Sequence, residues 1–364
     1  MDFPLSICPV GGIMDPSTDQ PQGGCRMKKM TAWDAPIRVF GVPFFEEKRI
    51  FERVPAALRE KLPSLAFLGR RTPGGRVGFR TDAPTFTVRA TIENLGHDIG
   101  MGIFGSSSVA VAIGDHRNAR YTALAYPADY TIHTFETTVN KSADMEEVTL
   151  WLPRNKIITD LVLEFPDDAR VEAPTPYSVG PVMFYGSSIT EGGCPAGPMN
   201  SYEAMLSRWL DMDFYNFGFS GSAKGELEMA DYLATIPFTA FVYDYDHNAP
   251  DPAHLAATHE PFFLRMREHF PDMPILMMSK PDFENDDHAA QRRDIIRKTY
   301  ENAKARGDQN VWFIDGETFF GTEDRELCTV DRCHPNDLGF YRMAKTIRPL
   351  LEDMLKQVAK SPKV

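Results

Sequence analysis

A chain of 364 residues, 43% hydrophobic and 25% charged, can bury its own core without disulfide staples, and its length argues for two domains. A net charge of −12 leaves no positive face for nucleic acid or an anionic membrane surface, and the basic run RMKKM at 26–30 is too short to supply one. No stretch approaches the ~20 apolar residues of a membrane span.

From the beginning, residues 1–30 are rich in Pro, Gly and polar residues and read as an extended or wrapping arm. They hold neither a basic n-region nor a continuous apolar h-region, so a cytoplasmic location is expected. Over 31–170 the runs IRVFGVPFF, TFTVRATI, SSVAVAIG, YTIHTFETTV, EEVTLWLP and LVLEF are short and bounded by turn residues, and several alternate apolar with polar. Many short strands at this spacing predict an antiparallel sandwich or jelly roll. The Pro-rich stretch at 166–181 marks a boundary, with a linker over 171–181, and the pattern beyond it, over 182–364, changes to strand and helix in alternation. Strands are expected at VMFYG (182–186), FYNFG, TAFVYDYD (239–246), PILMMS and VWFID (311–315). The intervening helices include one over roughly 200–211 and a long one closed by Gly307. Regular βα alternation predicts a parallel sheet with helices on both faces and reactive groups at the carboxyl ends of its strands. The five cysteines (Cys8, Cys25, Cys194, Cys328, Cys333) form no disulfide framework and read as free thiols, although Cys328 and Cys333 flank Asp331 and can close a small loop under oxidising conditions.

Four segments carry chemistry. In FYGSSIT (184–190) a strand ends in Gly186 and two serines follow, where a hydroxyl can attack and backbone amides can hold an oxyanion. DRCHP places Asp331 and His334 three residues apart, so that one loop can present a base and the carboxylate that orients it. NFGFSGSAKGE (216–226) is a Gly-rich loop at the end of the second strand, and YDYDHNAP (243–250) brings Asn248 to the end of the third. Alone, each is an ordinary turn. Together they fall on one predicted sheet edge.

In this combination residues 182–357 resemble the SGNH/GDSL hydrolase family. The family's G-D-S-[IL]-T block reads Gly186-Ser187-Ser188-Ile189-Thr190, with Ser188 in the nucleophile position and Ser187 in place of the Asp. Gly221 in FGFSG matches the second block; Asn248 stands for the third, without its Gly and following Asp; Asp331 and His334 meet the fourth. The resemblance implies a three-layer α/β/α, flavodoxin-like fold with five parallel strands. It also implies an oxyanion hole of the Ser188 and Gly221 amides plus the Asn248 side chain, and ester hydrolysis without a cofactor; on the spacing of the Cys and His residues no metal is expected. The β-rich region resembles the jelly-roll domain that precedes the hydrolase domain in some carbohydrate esterases. The expected activity is a serine esterase acting on short acyl, chiefly acetyl, esters of carbohydrate, with a small-molecule or oligosaccharide ester as partner and homo-oligomer formation left open. The alternatives are a lipase, a thioesterase or an acyltransferase of the same fold, or a catalytically silent carbohydrate-binding protein.

Other residues compete for roles. Ser187 is the rival nucleophile. His247 can touch substrate but reads as a structural strand-end histidine. Asp244, Asp246 and His247 suggest a metal, yet in a strand the two carboxylates face opposite to His247. Asp315 and Glu317 read as loop-holding residues, and Cys194 as a thiol near the pocket without a base. Trp33, Phe44, Phe45 and Phe104 are aromatic enough for a sugar face, but core packing is expected for most of them.

Overall fold

The computed structural model describes residues 26–93, 96–281 and 288–360, so most of the arm expected over 1–30, with Cys8 and Cys25, lies outside the described residues. Among the described residues, ten strands build the first half: β1 (Met27–Thr31), β2 (Arg38–Phe40), β3 (Arg76–Thr81), β4 (Thr85–Ile92), β5 (Val109–Ile113), β6 (Arg120–Ala125), β7 (Thr134–Asn140), β8 (Glu146–Trp151), β9 (Ile158–Pro166) and β10 (Val171–Glu172). Short helices α1 (Phe45–Lys48), α2 (Ala56–Lys61) and α3 (Ile103–Ser107) lie in the connections. Residues 27–30 therefore correct the expected arm: they are strand, and β1 pairs antiparallel with β9 from Met27 opposite Pro166 to Thr31 opposite Val162. The run IRVFGVPFF likewise yields only the three-residue β2 before the chain turns into α1. One antiparallel sheet has the order β1-β9-β4-β7 and the other β10-β3-β8-β5-β6, with β2 on β3.

The two sheets close on one apolar core, in which the Phe79 and Phe86 rings pack edge-on and Phe86 stacks on Phe165. The second sheet is covered on its other face as well. Val109, Val111 and Ile113 of β5 face the sandwich core, while Ala110 and Ala112, with Trp151 of the neighbouring β8, join a separate core with Phe184 and Phe214 from across the boundary.

The second half follows β11 (Val179–Gly186), α4 (Ser188–Glu191), α5 (Tyr202–Leu210), β12 (Met212–Gly218), α6 (Leu227–Leu233), β13 (Ala240–Asp244), α7 (Pro252–His269), β14 (Ile275–Met278), α8 (Ala289–Ala305), β15 (Val311–Ile314) and α9 (Asp337–Lys360). Its five parallel strands have the order β12-β11-β13-β14-β15, a doubly wound arrangement whose crevice falls outside the carboxyl end of β11. As expected, α5 sits within 200–211, and Gly307 follows α8 in the left-handed conformation. β13 stops at Asp244, earlier than predicted, so Asp246, His247 and Asn248 belong to the loop that follows.

Among the buried arginines that fasten the halves together are Arg53 and Arg76. Arg53, in the connection between β2 and β3, donates from Nη1 to the carbonyls of Asn216 (2.8 Å) and Gly218 (2.9 Å) on β12, and its guanidinium lies over the Phe219 ring. Arg76 of β3 pairs with Asp213 and stacks 4.2 Å from the Phe214 ring centroid.

Candidate active site

β11 is apolar and buried from Val182 to Tyr185 and ends at Gly186, where a side chain would run into Thr190 Oγ1 and the Asp244 carbonyl. Only glycine lets α4 start this close to the sheet. Ser187 is the N-cap of α4, and its hydroxyl accepts from the Ile189 amide at 3.1 Å. Serine and aspartate cap about equally well, so Ser187 in the Asp position of the block keeps this turn. The rival nucleophile is thus engaged in capping. Ser188 is the first helical residue, so its N–H has no acceptor within the helix.

The hydroxyl of Ser188, a buried residue, lies 2.8 Å from His334 Nε2, and His334 Nδ1 lies 2.7 Å from Asp331 Oδ2. The loop holding the last two is shaped by Asp331 itself, whose Oδ1 accepts from the amides of Cys333 (3.0 Å) and His334 (2.7 Å). Arg332 takes φ 68° within it, the Val330 amide donates to the His334 carbonyl, and Asn336 then caps α9 by accepting from Leu338 and Gly339. Partial burial pushes the Asp331 carboxyl up, but the hydrogen bonds from the His334 amide and ring, its positive charge and the Cys333 amide outweigh this and leave the carboxyl below its ordinary value. It is ionised wherever a histidine can act as a base.

Gly221 has φ 69° in an exposed turn, with open space where a Cβ would stand. The turn is anchored from two sides: Phe219 N–H donates to the Gly186 carbonyl at 2.9 Å, and the amide (2.9 Å) and hydroxyl of Ser220 donate to Glu191 Oε2. Asn248 Oδ1 accepts from the Ala223 amide at 3.4 Å, which ties it to the same loop.

Glu191 and Arg71 are residues that the sequence reading missed. Glu191 is fully buried on α4, three residues after Ser188, and its Oε1 meets Arg71 Nη1 at 3.2 Å. Arg71 also reaches Asp98 at 3.2 Å, and Asp98 pairs with Lys156 at 2.6 Å. No local pattern signals this link, because 120 positions separate its partners. The same β-half loop comes close to the residue that precedes Asp331: a side chain at Gly100 would stand 3.5 Å from Cys194 Sγ and 3.6 Å from Val330 Cγ2.

The remaining candidates have other duties. Asp244 accepts from Thr190 (2.8 Å) and Tyr202 (3.1 Å), and Asp246 accepts from the Lys280 amide at 2.8 Å. Asp315 caps a short turn through the Glu317 amide and pairs with Arg297 at 2.7 Å. Burial pushes the Cys194 thiol up to about 11, which keeps it protonated near neutrality. The sulfur of buried Cys328 lies 3.4 Å from Arg342 Nη1, while that of Cys333 lies 3.0 Å from His247 Nε2, so the two thiols of the loop point to different neighbours. His247 therefore reaches Cys333 instead of serving only its own strand end. Trp33 packs on Phe51 and Phe44 on Tyr232, as core aromatics do, whereas Phe104 is 46% exposed beside Tyr126; the Phe45 side chain lies outside those described. No helix among the described residues is long and apolar enough to cross a membrane.

A doubly wound sheet with a serine, a histidine and a carboxylate joined at its strand ends defines a class of hydrolase fold, and comparison with known proteins agrees. Residues 180–352 match the GDSL-like lipase/acylhydrolase family, and residues 29–171 match the N-terminus of SGNH-hydrolase-type esterases. The chain belongs to the SGNH/GDSL hydrolase family. No protein of curated function matches it in sequence. Among solved structures it is similar to a GDSL-like lipase from Bacteroides ovatus (26% identity, 91% of this chain and 98% of the other, TM-score 0.82). It shares its fold with a salicylyl-acyltransferase of a tetracycline biosynthetic pathway (19%, 90% and 97%, TM-score 0.74). It does so too with a family two carbohydrate esterase from Cellvibrio japonicus (15%, 91% and 98%, TM-score 0.61).

Proposed function

We propose that this chain is a serine esterase with Ser188 as nucleophile, His334 as general base and Asp331 as its orienting carboxylate. The observation that carries the reading is the unbroken line from hydroxyl to imidazole to carboxylate, at 2.8 and 2.7 Å. Ser188 Oγ attacks an ester carbonyl as His334 Nε2 takes its proton, and Asp331 stabilises the resulting imidazolium. The oxyanion is held by the amides of Ser188 and Gly221 and by Asn248, whose oxygen is turned to Ala223 and whose Nδ2 is left as the donor. His334 then gives the proton to the leaving alcohol, and the same base activates the water that releases the acid and frees Ser188.

For substrate we favour a short acyl group, acetyl first, on a carbohydrate hydroxyl. The fold shared with carbohydrate esterases supports this reading, as does a loop of the β-half standing beside Cys194 and Val330 near the catalytic groups. The order β1-β9-β4-β7 over β3-β8-β5-β6 further supports a jelly roll as the N-terminal unit. Acetate release from acetylated oligosaccharides, compared with hydrolysis of octanoyl and CoA esters, tests the substrate. A fluorophosphonate probe tests the chemistry: it should label the wild type and leave Ser188→Ala unlabelled. Equal labelling of both proteins would remove Ser188 from the mechanism.

A further inference from the structure

Beside the catalytic line stand two donors that the proposed esterase chemistry does not use, Cys333 and His247. Cys333 lies in the sequence between Asp331 and His334, and its sulfur is 3.0 Å from His247 Nε2, in the loop after β13. One ligand atom from each of Asp331, Cys333 and His334 falls within 4.8 Å of the others. A thiol, an imidazole and a carboxylate of one loop thus lie together, a second imidazole meets the thiol from another loop, and Cys333 and His247 are both only half-buried, which leaves an ion a route in.

We propose that this cluster is an inhibitory site for a thiophilic divalent cation, zinc above all, held by the Cys333 thiolate and His247 Nε2 and completed by Asp331 and His334. The donor chemistry selects the ion: sulfur and imidazole favour zinc over magnesium or calcium, which take oxygen ligands. The geometry fits too. Zinc–sulfur and zinc–nitrogen bonds of about 2.3 and 2.0 Å at a tetrahedral angle separate the two ligand atoms by about 3.5 Å, so replacing the Cys333–His247 contact by a metal needs an opening of about half an ångström. Binding releases the Cys333 proton to solvent, and the thiolate donates an electron pair to the metal, whose oxidation state does not change. The same event draws Asp331 or His334 into coordination. Either ligand lost to the metal breaks the line to Ser188, so the bound ion switches the hydroxyl off. It does not activate water for the reaction.

The test uses the full chain, stripped with a chelator and titrated with zinc by calorimetry. One ion per chain is expected to bind the wild type, with affinity at least tenfold weaker in Cys333→Ser and in His247→Gln, both checked by circular dichroism for an intact fold. Cobalt should give a sulfur-to-metal charge-transfer band in the wild type that vanishes in Cys333→Ser. Zinc should slow fluorophosphonate labelling of Ser188 in the wild type but not in Cys333→Ser, each protein compared with its own zinc-free rate, and chelator should restore the wild-type rate. Unchanged zinc affinity in Cys333→Ser, or a cobalt spectrum without the sulfur band, overturns the site. Labelling that stays fast with zinc bound overturns its inhibitory action. The binding arms do not depend on the esterase reading: a protein that no probe labels under any condition counts against that reading, while calorimetry and the cobalt spectrum still decide the metal.

Discussion

The two oxygens of Asp331 divide their work, one shaping the loop through two amides and the other holding His334 Nδ1. Replacement by asparagine keeps a loop-shaping acceptor but turns an NH2 donor toward the imidazole. His334 then favours the tautomer with its proton on Nε2, facing Ser188, and the hydroxyl loses its acceptor. Asp331→Asn should therefore lower kcat on an acetyl ester by ~10³–10⁴ with little change in KM, as loss of the correct tautomer does elsewhere. A variant that keeps a tenth of the rate would remove Asp331 from the mechanism. Ser188→Ala and Ser188→Ala/His334→Ala should be about equally slow, because groups that act as a unit do not lose their contributions additively. At this scale the sequence was legible: DRCHP and GSSIT are short motifs whose partners lie within one loop each. What it hid was the Ser187 cap, which explains why the departure from the usual block does not disturb the turn, and the His247–Cys333 contact between loops 86 positions apart.

Among the elements, α4 carries the most constraint for its four residues. It is wedged against β11 and β12 through Gly186 and through Gly218, where a Cβ would strike the backbone of Glu191. Gly186→Ala should cost at least ~1–3 kcal/mol by overpacking, read from the denaturant midpoint; an unchanged midpoint would mean that the helix start can shift without penalty. The ion pair of Glu191 with Arg71 is buried on both sides. Arg71→Met strands the Glu191 carboxylate and should destabilise the protein by ~3–5 kcal/mol, whereas the double variant Arg71→Met/Glu191→Gln should recover part of that loss. A double variant no better than the single one would show that the two residues act separately. Elements were legible where one face alone meets the core, as in TFTVRATI of β4, whose alternate residues are buried. β3 was not, because RVGFRT has arginine on the face that looks polar and that face is buried too, with Arg76 fully inaccessible against the second half. β13 was read too long because the chain beyond Asp244 keeps the strand-like composition YD while its polar atoms are spent on loop contacts.

The molecule as a whole stores protons in its interior. Burial, and then the neighbouring Asp246, push the Asp244 carboxyl up from 3.8 to about 8. The folded chain therefore keeps a proton there that the unfolded chain releases above pH ~4, and this site's contribution to stability shrinks as pH rises between those two values. Thermal melts of the wild type should lose ground between pH 5 and 8, on the order of the span set by that shift, relative to Asp244→Asn, whose amide does not titrate. Parallel profiles for the two proteins would mean that Asp244 is ionised in the fold. Burial likewise pushes the Glu203 carboxyl well above its ordinary value.

Arg53 has a consequence for inheritance and for assembly. The carbonyls of Asn216 and Gly218 on the catalytic sheet are satisfied by a side chain encoded more than 160 positions earlier, 163 and 165 respectively. A polypeptide beginning near residue 176 would expose those acceptors together with the apolar surface around Phe214, and should emerge as an aggregate or an expanded globule by size-exclusion chromatography and circular dichroism. The intact chain should melt in a single calorimetric transition. Recombination that grafts the catalytic half onto a foreign leader would have to bring its own cation to the same two oxygens, so the halves are expected to travel through evolution as one cassette.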